Sequence, residues 1–259
     1  GLRSLAAARF LRRRAMNESW NFTPIGHIRS PFREKFGIPR QSGLVRTATA
    51  ELVLRPPHDR PESLRGLEAF SHLWLLFVFH AARGGARRTV RPPRLGGNTR
   101  LGVFATRSPF RPNPIGLSVV ELAGIEHHAG RTVLRLRGID LLDGTPILDI
   151  KPYVPYADSL PQARGGFADS PPDARLQVVF DEAVEQRLRD EGEEGARLRA
   201  LIEDVIAPDP RPAYRQDETP GREYAMRLGD HDVRWRVNEA GIAQVISRTA
   251  LPPAEGEIS

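Results

Sequence analysis

From Met16 onward, short apolar runs rich in β-branched residues alternate with Gly- and Pro-rich punctuation. Runs of this length predict strands rather than helices. ATAELVLRP (48–56), LGVFAT (101–106) and GTPILDIKPYVPY (144–156) read as extended segments. HLWLLFVFH (72–80) is apolar enough to predict burial on both faces, and it is far too short to span a bilayer. LSVVELAGIEHH (117–128) and RTVLRLRGID (131–140) flank Ala129-Gly130 as a hairpin. Many short strands without alternating long helices favour an antiparallel or mixed barrel over a doubly wound sheet.

A boundary is expected near SPPDA (170–174). Beyond it ARLQVVF (174–180) reads as a strand. Leu198, Leu201, Ile202 and Val205 then fall at helical spacing, in a helix that Gly192 and Gly195 should split. REYAMRL (222–228) and VRWRV (233–237) are two further strands. The reading is therefore mainly β: a small antiparallel or mixed β-barrel over residues 16–170, an α+β C-terminal domain over 171–251, and a tail at 252–259. Residues 1–15 are set aside as a leader. Their arginines and lack of acids resemble a transit peptide, but translation begun upstream of Met16 or sequence added in cloning explains them better.

Composition removes several function classes. Cysteine is absent, so disulfides, thiolate nucleophiles and Cys-based zinc sites are out; a reducing, cytoplasmic location fits. The seven histidines show no paired spacing, so no metal is expected. RLGGNTRLG (94–102) lacks the dinucleotide spacing, and neither a Walker loop nor a nucleophile elbow occurs. The net charge of +6 falls to +1 without the five arginines of residues 1–15. Its distribution says more. Between Ala69 and Val120 there is no acid, yet Arg83, Arg87, Arg88, Arg91, Arg94, Arg100, Arg107 and Arg111 all lie there. Between Asp181 and Asp204 nine acids face four arginines. A polyanionic partner on the basic face and a solvated surface both fit this asymmetry.

Within the acid-free stretch, ATRSPFRPNPIG (105–116) is stiffened by Pro109, Pro112 and Pro114, which exclude helix and central strand. It reads either as a rigid connector or as a wall of a binding site presenting Arg107. Three other segments are polar or Gly/Pro-shaped where a plain barrel would use short turns. They are RSPFREKFGIPRQSG (29–43), FVFHAARGG (77–85) and IDLLDGTPILDIKPY (139–153). His80 closes an apolar run, where a lone histidine is more often a satisfied core or rim residue than a functional one.

Together with LRGLEAFSHLWLLFVFH (64–80) and VRPPRLGGNTRLGVFATRS (90–108), these segments resemble the TsaA-like family, the bacterial tRNA N6-adenosine methyltransferases called TrmO. The resemblance covers roughly Phe22 to Asp158, and DPRPAYR (209–215) with VRWRV extends it. It implies a small β-barrel that binds S-adenosylmethionine without a Rossmann sheet, a homodimer with the cofactor near the subunit interface, and a tRNA anticodon loop as partner. The implied reaction is methylation of N6-threonylcarbamoyladenosine on N6, beside the anticodon at position 37. Carried over, the cofactor residues are Arg40, Gln41, Ser42 and Gly43, then His80 and Ala81, then Arg107 and Leu117, then Leu141, Leu142, Asp143 and Gly144. Position 42 is Ser where many relatives have Pro. Asp143 is the candidate carboxylate, either balancing the sulfonium charge or accepting the N6 proton. Arg87, Arg88 and Arg91 are the candidate tRNA contacts. The alternative is a non-catalytic module that binds tRNA or S-adenosylmethionine on the same fold.

Overall fold

The structure, a computed structural model, describes residues 19–128, 130–170, 176–211 and 220–252. The expected leader, residues 253–259 of the tail, 171–175 of the boundary and 212–215 of DPRPAYR lie outside the described residues. The first eight strands are β1 (Gly26–Arg29), β2 (Thr49–Leu54), β3 (His72–Val78), β4 (Thr89–Val90), β5 (Leu101–Gly102), β6 (Ile115–His128), β7 (Arg131–Arg137) and β8 (Pro146–Pro152). Six of them form a closed barrel in the order β1-β2-β7-β6-β3-β8, while β4 and β5 pair as a separate ribbon. Every pairing in the ring is antiparallel.

Period-two alternation decides what fills the barrel. On β7, Thr132, Leu134 and Leu136 are buried while Arg131, Arg135 and Arg137 face solvent. Ile28, Leu52, Leu73, Leu75, Val120 and Ile147 complete the interior. Outside, the guanidinium of Arg135 binds Glu51 on the neighbouring strand and Glu126 at 3.0 Å. At one register position the core tolerates no side chain: Phe77 pairs with Gly116 across β3 and β6, and its ring lies over that glycine. A Cβ at residue 116 would fall inside the ring.

Three expectations need correction. Strand β3 is buried on one face only: Trp74, Leu76 and Val78 are partly exposed. No helical layer covers the outside of this sheet among the described residues, and Trp74 instead packs at 6.1 Å on Tyr153 and donates to Asp158. LGVFAT is a strand for only two residues, because Val103–Ala105 turns as a 3-10 helix closed by Thr106. The segment Gly26–Arg29, which no sequence pattern singled out, is β1.

The C-terminal unit begins with β9 (Val178–Phe180) and two helices, α1 (Glu182–Asp190) and α2 (Gly192–Ile206). Strands β10 (Glu223–Leu228), β11 (His231–Val237) and β12 (Ala243–Ala250) follow, and the sheet order is β10-β11-β12-β9 with β9 parallel to β12. Strand β12 was missed in the sequence, although it is the one that joins β9 to the hairpin. Of the two glycines expected to break the helix, only Gly192 does, at φ +61°. Gly195 lies inside α2, where a Cβ would collide with the carbonyl of Leu188.

The excursion between β1 and β2 links the two parts. Phe32 bridges to Leu228, the Gly229 N–H donates to Pro31 at 2.7 Å, and Thr47 donates to Asp204 at 2.9 Å. One hydrophobic cluster accordingly runs from Leu134 and Ile147 through Phe32 to Met226 and Trp235.

Candidate functional site

The proline-stiffened loop is short of donors, since proline has no N–H. Arg111 makes up part of the deficit. Its Nη1 donates to the Thr106 carbonyl at 2.6 Å and lies 3.4 Å from those of Val103 and Ser108. The Ser108 N–H reaches the Thr106 hydroxyl at 3.3 Å, and the Phe110 N–H reaches the Ser108 hydroxyl at 3.3 Å. From outside, the Arg87 N–H donates to Phe110 and the Phe79 N–H to Pro114. The loop is thus held along its length, and it presents Arg107, whose Nη1 donates to Gln41 Oε1 at 2.5 Å.

Gln41 belongs to the excursion that packs on the chain after β7. The Gly43 N–H donates to the Gly138 carbonyl at 2.9 Å. The two glycines touch so closely that a Cβ on Gly138 would lie 3.2 Å from Gly43 Cα, and both have positive φ, which glycine adopts without strain. Two residues on sits Asp140, between the buried Ile139 and Leu141. Its carboxylate accepts the Ser118 hydroxyl at 2.7 Å, and the Ser42 backbone and the Arg107 charge also favour its ionised form. Burial pushes its pKa up to about 6 from an ordinary 3.8, against the opposing pull of Ser118, Arg107 and Ser42.

Sequence reasoning missed Asp140 and Ser118. The available signal was an acid inside the apolar run GIDLL, which is rarely buried without a partner or a task. Of the expected cofactor residues, Arg107 and the Ser42 backbone act on this carboxylate, Gln41 holds Arg107, and Gly43 follows Ser42. Leu117 (49% exposed) and Ile115 (39%) lie on the outer face of β6, opposite the face that carries Ser118. Arg40 is exposed. His80 and Ala81 are joined to the others through their surroundings: Lys35 donates to the Ala81 carbonyl at 2.6 Å, and Phe79 holds Pro114.

The Asp-Gly turn faces elsewhere. Leu141 is core, only 3% exposed, and its carbonyl is taken by Ser30 Oγ at 2.7 Å. The Leu142 carbonyl is taken by Thr145 at 2.6 Å. Asp143 accepts the Ser30 N–H on one oxygen at 2.9 Å and Arg33 on the other at 2.5 Å, so its carboxylate clamps the turn, with Gly144 at φ +73°, to the end of β1. It also borders a groove of about 600 Å³ outside the barrel, lined by Arg29, Arg33, Glu51, Arg135 and Arg137. Those arginines are already paired with Glu51, Asp143, Glu126 and Glu121. The lining itself carries four arginines against Glu51 and Asp143, with the other two acid partners on β6.

Arg83, Arg87, Arg88, Arg91 and Arg100 are exposed, and none forms an ion pair with a described acid. Arg87 instead lies over the Phe110 ring at 4.4 Å. The acid-free stretch of the sequence is thus an uncompensated basic surface on the structure, continuous along the chain with the Arg107 loop. No three acids or histidines among the described residues come together as a metal site, and no described helix is long and apolar enough to cross a membrane.

The model of the tRNA-methyltransferase O N-terminal domain matches residues 27–159, and that of the TrmO C-terminal domain matches 173–249. The chain belongs to the TrmO family. It is 54% identical over 224 residues to the tRNA (adenine(37)-N6)-methyltransferase of Escherichia coli K12, covering 86% of this chain and 95% of that one. A Pseudomonas aeruginosa relative named "Putative S-adenosylmethionine-dependent methyltransferase RcsF" is 55% identical over 229 residues, with the same coverage. The crystal structure of TrmO from Pseudomonas aeruginosa superposes with a TM-score of 0.74 at 44% identity, over 90% of this chain and 99% of that one. The TrmO N-terminal match contains every residue of the Gln41–Arg107–Ser118–Asp140 cluster.

Proposed function

We propose that this chain is a cytoplasmic, homodimeric, S-adenosylmethionine-dependent enzyme that methylates N6 of N6-threonylcarbamoyladenosine at position 37 of tRNA. The observation that carries the reading is a chain of four separate segments, in which Gln41 holds Arg107, Arg107 acts by its charge on Asp140, and Ser118 donates to that carboxylate. The site suits that cofactor chemically. Its sulfonium cation calls for a nearby anion, its carboxylate for a fixed guanidinium, and its adenine for apolar cover. Asp140, the Gln41-held Arg107, and the exposed Leu117, Ile115 and Phe104 are groups of those kinds. Family membership adds tRNA methylation to this chemistry.

When bound, S-adenosylmethionine supplies an electrophilic methyl group on a sulfonium sulfur. The chain's own residues supply position. Arg111 and three prolines hold the loop, so Arg107 loses little freedom on gripping a carboxylate, that of methionine or that of the threonyl group. Arg87, Arg88 and Arg91 meet phosphates of the anticodon arm. The exposed apolar residues Ile115 and Leu117, on the outer face of β6, support a second protomer packed against the barrel.

Purified protein should bind S-adenosylmethionine and S-adenosylhomocysteine calorimetrically and sediment as a dimer. Mass spectrometry should find a methyl group added to threonylcarbamoyladenosine in tRNA that carries it, and none in tRNA that lacks it. Absence of heat with either cofactor form would defeat the cofactor assignment. Binding without turnover on modified tRNA would select the non-catalytic module instead.

A further inference from the structure

Resting on the methylation reading, we propose that Asp140, oriented by Ser118, is the base that takes the N6 proton during methyl transfer. Threonylcarbamoylation makes N6 part of a urea, so its lone pair is delocalised and the nitrogen attacks poorly while it keeps its proton. A base positioned at that N–H is what the reaction lacks. Among the acids of the site segments, Asp140 is the one that lies with Ser118 and the Arg107 loop, whereas Glu34 accepts the Arg227 N–H at 3.1 Å. Both oxygens of Asp143 are engaged, by the Ser30 N–H and by Arg33. Asp149 accepts the Ile150 N–H and lies 3.1 Å from the Lys151 ammonium.

Asp140 is held without being saturated. A carboxylate offers about four lone-pair directions, and the Ser118 Oγ–H takes one of them here, at 2.7 Å. Directions remain for an incoming proton. Ser118 orients the carboxylate from β6, the Ser42 backbone favours its charged form from the excursion before β2, and Arg107 is the charged side chain that acts on it from the proline loop. Burial raises its basicity while leaving it ionised above neutrality, which is the useful range for a general base.

The step balances. The N6 lone pair forms the new C–N bond, and the C–S bond breaks with its electron pair left on sulfur. The N–H bond breaks with its pair left on nitrogen, and the proton ends on a carboxylate oxygen of Asp140. A sulfonium and a carboxylate become a thioether and a carboxylic acid, which later returns its proton to water. No other reactant is needed.

Two variants test the assignment, Asp140→Asn and Ser118→Ala, each with one readout that needs no turnover. Carboxyl-carbon NMR of the free protein should show a resonance, absent from Asp140→Asn, that titrates near pH 6; removing the Ser118 hydroxyl should move it upward. In single turnover at saturating cofactor, Asp140→Asn should be slower by about 10²- to 10⁴-fold on threonylcarbamoylated tRNA. In Ser118→Ala the acid limb of the rate profile should move up in step with the NMR titration. Wild-type speed in a folded Asp140→Asn would overturn the proposal. So would a Ser118→Ala titration that moves while its rate limb stays, a test that stands even if Asp140→Asn fails to fold. An inert wild-type enzyme would overturn the methylation reading, and the assignment with it.

Discussion

Asp140→Asn should gain stability relative to wild type as pH rises from 4 to 8, while it damages the site. Its carboxyl titrates at about 6 in the folded chain against 3.8 for an ordinary aspartate. Between those values the folded chain binds more protons than the unfolded one, so stability falls as pH rises through the window and stays reduced above it. The full difference corresponds to about 3 kcal/mol at pH 8, most of which develops between pH 4 and pH 8. Asparagine carries no charge, so the difference in stability between variant and wild type should move by about 2–3 kcal/mol in the variant's favour over that range. Subtracting the pH 4 value from the pH 8 value cancels whatever asparagine does to the hydrogen bond with Ser118. Urea melts at both pH values, with equal m-values as the check on two-state behaviour, give the four numbers required. A difference that stays flat from pH 4 to pH 8 would mean that Asp140 is solvated, and would remove the physical basis for a tuned carboxylate.

Three further outcomes are expected. Gly116→Ala drives a methyl into the Phe77 ring and should cost about 1–3 kcal/mol in chemical denaturation, partly recovered by Phe77→Leu in the same chain. Replacing Arg87, Arg88 and Arg91 by Ala should leave cofactor heat unchanged and reduce the salt slope of tRNA binding by about 0.7–0.9 for each lost phosphate contact; an unchanged slope would return them to a solvated face. Arg107→Lys keeps the charge but loses the planar fork held by Gln41, and should cost about 1.5–3 kcal/mol, roughly ten- to a hundredfold, in kcat/KM with modified tRNA. Wild-type kinetics there, with a weaker salt response, would move Arg107 from the pocket to the tRNA backbone.

Local patterning reveals a barrel strand when inside and outside residues differ, and it is silent otherwise. The hairpin of β6 and β7 was legible because Thr132, Leu134 and Leu136 alternate with arginines, and because Gly130 supplies the positive φ of the turn. Strand β1 has four residues, and β12 carries Gln near its start and Ser, Arg and Thr in its second half. Their pairing partners, not their own residues, make them strands, so tertiary context overrides a weak pattern. The opposite error affected β3, whose continuous apolar run suggested two buried faces. Burial is a property of what lies opposite, and the sequence of one strand does not contain it. Gly195 failed as a helix breaker for a similar reason: it serves a close approach to Leu188, which is a contact rather than a conformation.

The same distinction separates the two acids of IDLLDG. Asp143 precedes a glycine and so advertises a turn, and the turn is what its carboxylate serves, through Ser30 and Arg33. Asp140 advertises nothing, since its neighbours Ile139 and Leu141 make the run look like core. Yet the carboxylate that carries the strained ionisation is the one in the core-like run. The reason is energetic. An acid in solvent keeps its ordinary pKa and is a weak base at neutrality, whereas one set among apolar residues is raised toward the working pH at the expense of stability. The stiffness of the Arg107 loop belongs to the same account. A guanidinium near Asp140 stabilises its charged form, and if Arg107 closed directly on the carboxylate it would pull the pKa back down. Gln41 holds the guanidinium at 2.5 Å instead, so that Arg107 is felt at Asp140 without a direct hydrogen bond between them. Gln41→Ala should therefore release Arg107 toward Asp140 and lower the carboxyl titration midpoint, which NMR of the free protein reads directly. A midpoint that rises or stays put in Gln41→Ala would show that Gln41 is not what keeps the two charges apart.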